Sequence, residues 1–129
     1  MAYKVSTEKF KLFTKTCKFW MKQFGLLDYR VQFYHEKLDE SDCAMTTTCR
    51  QDRAGAITLN TQWAIPATAE ELQRVALHEV MHVLISDLSD LALQRVISDM
   101  DIHIANEAIV VRLENGISDL YYDTRDKKD

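Results

Sequence analysis

Between Val75 and Ile85 the chain is apolar except at His78, Glu79 and His82, and this run constrains the fold more than any other feature. Val75, Ala76, Leu77, Val80, Met81, Val83, Leu84 and Ile85 surround a helix drawn through them on all sides, which is the pattern of a helix passing through the middle of a protein. An unpaired carboxylate and two imidazoles in such a place are costly unless something satisfies them. Residues four apart stack on one helix face. The two imidazoles therefore point the same way, at the separation from which two nitrogens reach one tetrahedral cation. Glu79 is turned by about 100° from His78, beside whatever occupies an open coordination position. A zinc ion held this way brings the pKa of its water towards about 7, and a neighbouring glutamate takes that water's proton and delivers it to a leaving amine. The expectation is a hydrolase with His78 and His82 as metal ligands, Glu79 as general base and one Zn2+ per chain.

The rest of the chain reads as a scaffold for that helix. With 129 residues, 47% of them apolar, and a single Pro, there is room and material for one compact domain over residues 1–122. The polar end 123–129 (DTRDKKD) is expected to fray. Phe10, Phe13, Cys17, Trp20 and Phe24 recur at steps of three and four, so a first helix is expected from a Ser6 or Thr7 cap to a stop at Gly25. Tyr29, Val31 and Phe33 alternate with polar neighbours, and residues 43–50 (CAMTTTCR) and 55–60 (GAITLN) read as two further strands with a turn at Asp52. Pro66, Thr68 and Glu71 mark the start of the motif helix with a capping box. Residues 86–98 form a connector, and Ile102, Ala105, Ile109 and Leu113 define a last helix expected to stop at Asn115-Gly116.

No apolar run long enough to span a bilayer occurs, and the N-terminus enters a lysine-studded segment without an apolar signal core, so the expectation is a cytoplasmic protein with no membrane contact. Cys17, Cys43 and Cys49 are odd in number and lack a CxxC spacing. They are read as reduced packing residues, not as a disulfide scaffold. Residues 1–23 carry six Lys against Glu8 alone, so the first helix has a basic face. Such a face is usually solvated, with contact to nucleic acid or an acidic partner as the less ordinary use.

The segment Val75-Ala76-Leu77-His78-Glu79-Val80-Met81-His82-Val83-Leu84 resembles the HExxH helix of the zincin metallopeptidases. It departs from the metzincin subgroup, whose Gly and third His would fall at Ile85 and Leu88, and from the SprT type, whose third His follows more closely than His103 does. Asn106-Glu107 resembles the glutamate ligand helix of gluzincins. The run from Glu107 to Glu114 is similar to the segment after HExxH in small phage-encoded and ImmA/IrrE-type metallopeptidases. The resemblance implies an α+β, minimal zincin-like fold: N-terminal helix, three-stranded sheet, HExxH helix and a C-terminal helix carrying the third ligand. It implies Glu107 as that ligand, with His103 as the alternative. If Glu107 binds, His103 is left as a rim group or a plain surface histidine.

The resemblance further implies zinc-dependent hydrolysis of a peptide or protein substrate, laid along Gly55 to Asn60 if that strand is a sheet edge. Where gluzincins often have an orienting aspartate this chain has Val111, so Asp87, Asp99 or a backbone carbonyl is expected to orient the imidazoles. His35 is expected to pack, and Tyr121 and Tyr122 to cap the core or donate to an oxyanion. The competing function is a binding or regulatory module that keeps zinc as a staple and has no protease activity.

Overall fold

The computed structural model describes residues 2–94 and 96–126, with side chains as far as residue 117. The fold is α+β. In chain order the elements are β1 (Tyr3–Lys4), α1 (Thr7–Gln23), β2 (Arg30–Glu36), β3 (Ala44–Cys49), β4 (Ala54–Asn60), β5 (Gln62–Trp63), α2 (Ala69–Leu84), α3 (Ser86–Ala92) and α4 (Asp99–Asp126). No helix among the described residues is long and apolar enough to cross a membrane.

Helix α1 begins where the Ser6 hydroxyl accepts the Lys9 N–H at 3.3 Å. It ends at Gly25, whose φ of 68° is the left-handed conformation that glycine adopts without steric penalty. Its buried stripe is Phe13, Cys17 and Met21, flanked by the half-buried Phe10 and Trp20. That stripe packs on α2. Burial pushes the Cys17 thiol up to about 12, with the nearby Glu79 carboxylate acting in the same direction. Of the three cysteines only Cys17 is fully interior. Cys43 is half-buried and packs against the core, and Cys49 is exposed, so the reading of all three as packing residues holds for Cys17 and Cys43 and not for Cys49.

The three-stranded sheet has the order β2-β4-β3, with β2 parallel and β3 antiparallel to β4. The strand read from GAITLN is therefore central. Its residues Ile57, Thr58, Leu59 and Asn60 form a buried run, as expected of a strand covered on both faces. This overturns the expectation of a substrate-binding edge at Gly55 to Asn60, because those backbone groups are already paired on both sides. The outer edge of β3, which packs next to α2, has no strand partner among the described residues. Asn60 is buried and fully used: it donates to the Asp39 and Asp42 carbonyls at 3.0 and 2.7 Å and accepts from the Leu38 and Gln62 N–H groups. One amide thus pins the loop between β2 and β3.

Two departures concern the C-terminal third. The connector after α2 contains a helix of its own, α3, and α4 runs through Asn115-Gly116 without stopping. Gly116 is needed for close packing rather than for a stop: a Cβ there would lie 2.8 Å from the Phe24 ring, and its carbonyl accepts from Gln23 Nε2 at 3.1 Å. The helix is held to the body by Arg112, which reaches Asp87 at 3.2 Å and Asp28 at 3.4 Å. Asp87 is also bonded by the Tyr29 hydroxyl at 2.7 Å and paired with Arg53 at 3.4 Å. Burial pushes the Asp87 carboxyl up, but the Tyr29 hydrogen bond and the two guanidiniums outweigh it and hold the group below the ordinary carboxylate range. Of the tail expected over 123–129, residues 123–126 belong to α4 and 127–129 lie outside the described residues.

Candidate metal centre

Helix α2 starts at Thr68, whose hydroxyl accepts the Glu71 N–H at 3.2 Å. Only this half of the capping box forms, because the Glu71 carboxylate turns to Arg74 at 2.7 Å. From that start the helical period sends Leu72, Ala76, Glu79, Val80, Val83 and Leu84 inward. His78, Met81, His82 and Ile85 are exposed. The expectation that the whole motif lies in an oily interior is therefore corrected: among the described residues one face of α2 is uncovered, and the imidazoles stand on it. Met81 and Ile85 remain 46% and 41% exposed because no described element covers that side, a tertiary fact that residue hydrophobicity does not carry.

His78, Glu79 and His82 form a group whose potential ligand atoms all lie within 4.8 Å of one another. The two Nε2 atoms are 3.3 Å apart, with the rings nearly perpendicular at 81°. Two nitrogens each about 2.0–2.1 Å from one tetrahedral ion stand about 3.3–3.4 Å apart. The imidazole pair thus has the edge length of a zinc-sized tetrahedron, and this residue set can hold a metal ion.

Glu79, in the same group, is buried, at 4% exposed. Thr46 of β3 donates its hydroxyl to the Glu79 carboxylate and to its backbone carbonyl, both at 3.3 Å. Burial raises the Glu79 carboxyl above the ordinary glutamate value, against the opposing pull of the His82 and His78 rings and the Thr46 bond. Burial thus raises the proton affinity of a carboxylate that lies beside two imidazoles able to hold a metal ion.

His103 and Glu107 are exposed on α4 and are not members of the group of three. Asp87 is taken up by Tyr29, Arg53 and Arg112 and Asp99 is exposed on α4. Among the described residues the histidine rings bond only each other, so none of the orienting groups expected for them is in place. His35 stacks on Phe10 with ring centres 4.9 Å apart, as a packed histidine. The side chains of Tyr121 and Tyr122 lie outside the described residues.

Sequence reasoning missed Thr46 and the wall that faces His78. Ser41, Asp42, Cys43 and Ala44 oppose Arg74, Val75, His78 and Glu79 across a pocket of about 330 Å³. Ala44, Thr46 and Thr48 are half-buried between exposed neighbours, but three identical threonines in a row give no sequence signal for which of them turns towards the helix. No protein-family model matches the chain, and neither the curated proteins nor the solved structures contain a match to it.

Proposed function

We propose that the chain is a zinc-dependent peptidase of the zincin type, hydrolysing a peptide bond with Glu79 as general base. The observation that carries this reading is the 3.3 Å separation of the His78 and His82 Nε2 atoms on a solvent-facing helix surface, with the Glu79 carboxylate in the same group. When bound, zinc supplies Lewis acidity, activating a water and polarising a carbonyl. Glu79 accepts the water's proton and returns it to the leaving nitrogen. Thr46 holds that carboxylate in place from β3. The outer edge of β3 lies beside the motif helix and has no strand partner in the described sheet, so its backbone suits an extended peptide added as a further strand.

In this reading Glu107 of α4 completes the ligand set, with His103 as the alternative. Both are solvent-accessible and one turn apart. The other function considered, zinc as a staple in a binding module, fits less well, since structural zinc sites are closed by four protein ligands and this face is open.

The test is Glu79→Gln, purified with the wild type and assayed for metal content and for cleavage of a peptide library. The variant is expected to keep one equivalent of zinc and to lose cleavage by roughly 10²–10⁴-fold. Unchanged cleavage in the variant, or no zinc in the wild type, refutes the reading.

A further inference from the structure

The pocket beside His78 carries charge on both walls, and its charges are unequally satisfied. Arg74 is held by Glu71, which accepts from its Nε at 3.2 Å and its Nη2 at 2.7 Å. Glu79 accepts from Thr46 and faces the imidazoles. Asp42 is different: its carboxylate has no cation within ion-pair distance among the described residues and is exposed at the pocket. Its backbone is fixed on both sides. The Asp42 N–H donates to the Asp39 carbonyl at 3.0 Å, and the Asp42 carbonyl accepts from the buried Asn60 amide at 2.7 Å. A carboxylate presented from a pinned loop loses little freedom when it pairs. The same pocket is lined by Cys43, Ala44 and Val75, which suit the aliphatic stem of a long side chain.

We infer that this pocket is a substrate subsite for a cationic side chain, Lys or Arg, with Asp42 as its counter-charge. The inference rests on the peptidase reading for the direction in which a peptide lies, but its own claim concerns binding. An acidic side chain would meet the unpaired Asp42 carboxylate, while the charge of Arg74 is already offset by Glu71, so it is disfavoured. A neutral side chain leaves Asp42 solvated and gains only the stem contacts.

The experiment uses the full chain as Glu79→Gln, loaded with zinc, and fluorescent hexapeptides in which one position at a time is Arg, its neutral isostere citrulline, or Glu. At one position Arg is expected to bind about tenfold more tightly than citrulline, as a charge-assisted pair supplies, with Glu weakest. Asp42→Asn should remove the difference, and Asp42→Lys should reverse the order in favour of Glu. Equal binding of Arg and citrulline everywhere, an Arg preference that survives Asp42→Asn, or no peptide binding at all overturns the subsite. Cleavage of the same peptides by the wild type separates the two claims: an Asp42-dependent Arg preference without cleavage sustains the subsite and refutes the hydrolysis, whereas cleavage without preference does the reverse.

Discussion

If the imidazole pair holds zinc in the folded chain, zinc must stabilise the fold by mass action, and the size of the effect can be worked out. Free zinc at a hundred times its dissociation constant adds about 2.7 kcal/mol to the unfolding free energy when only the native state binds. For 129 residues, an unfolding entropy of roughly 2.1 cal/mol/K per residue makes 1 kcal/mol worth about 4 °C. The melting temperature should therefore rise by about 10 °C. Residual binding by the three cysteines and four histidines in the unfolded state sets this as an upper figure. His78→Ala and His82→Ala each leave one imidazole, and the shift should fall below about 2 °C. Because both rings are exposed and bond only each other among the described residues, the metal-free variants should melt within about 2 °C of the metal-free wild type. The assay is differential scanning calorimetry of chelator-treated protein with and without zinc. A wild type that zinc leaves unmoved, or a His78→Ala, His82→Ala double variant that keeps the full shift, refutes the reasoning.

Two further predictions concern the scaffold. Asp87→Asn should lower stability by about 3 kcal/mol in urea titrations at neutral pH, since it removes the buried charge that Arg53 and Arg112 face and leaves the Tyr29 hydroxyl only a neutral amide oxygen to bond. As the native Asp87 carboxyl lies below its unfolded value, its contribution is present above the unfolded carboxylate pKa and disappears as pH falls through the native one. The wild type should therefore lose more stability than the variant on acidification, and parallel acid curves would contradict this. Gly116→Ala places a Cβ 2.8 Å from the Phe24 ring and should destabilise by roughly 1–3 kcal/mol, although alanine is the better helix former. A stabilised Gly116→Ala would show that α4 does not pack on the end of α1.

Local signals carried most of the elements. The Ser6 and Thr68 caps, the Gly25 stop, the alternation in β2 and the strand composition of β3 all depend on neighbours in sequence, and all appear where the residues place them. What failed depended on distant partners. Asn115-Gly116 has the composition of a helix stop, yet the meaning of Gly116 lies in Phe24, far away in the chain. The parallel pairing of β2 with β4 places GAITLN at the sheet centre, and the pattern of a single strand does not identify its two neighbours. Asp87 looked available to orient an imidazole, but Tyr29, Arg53 and Arg112 already claim it.

The same distinction bears on the motif. His78, Glu79 and His82 were legible as a constellation because their spacing is a property of one helix. Their environment was not, because an apolar run shows which residues favour burial and not which side another element covers. The structure divides the motif: the Glu79 carboxylate is buried and the two imidazoles are exposed. That division matters more to chemistry than uniform burial would have done. A base needs a low-dielectric setting to raise its proton affinity, and ligands that exchange a water for a substrate need an open side. Had all three groups been interior, the centre would have been suited to a staple; had all three been on the surface, Glu79 would titrate as an ordinary glutamate. One turn of α2, with Thr46 of β3 behind it and solvent before it, separates the two requirements within a span of five residues.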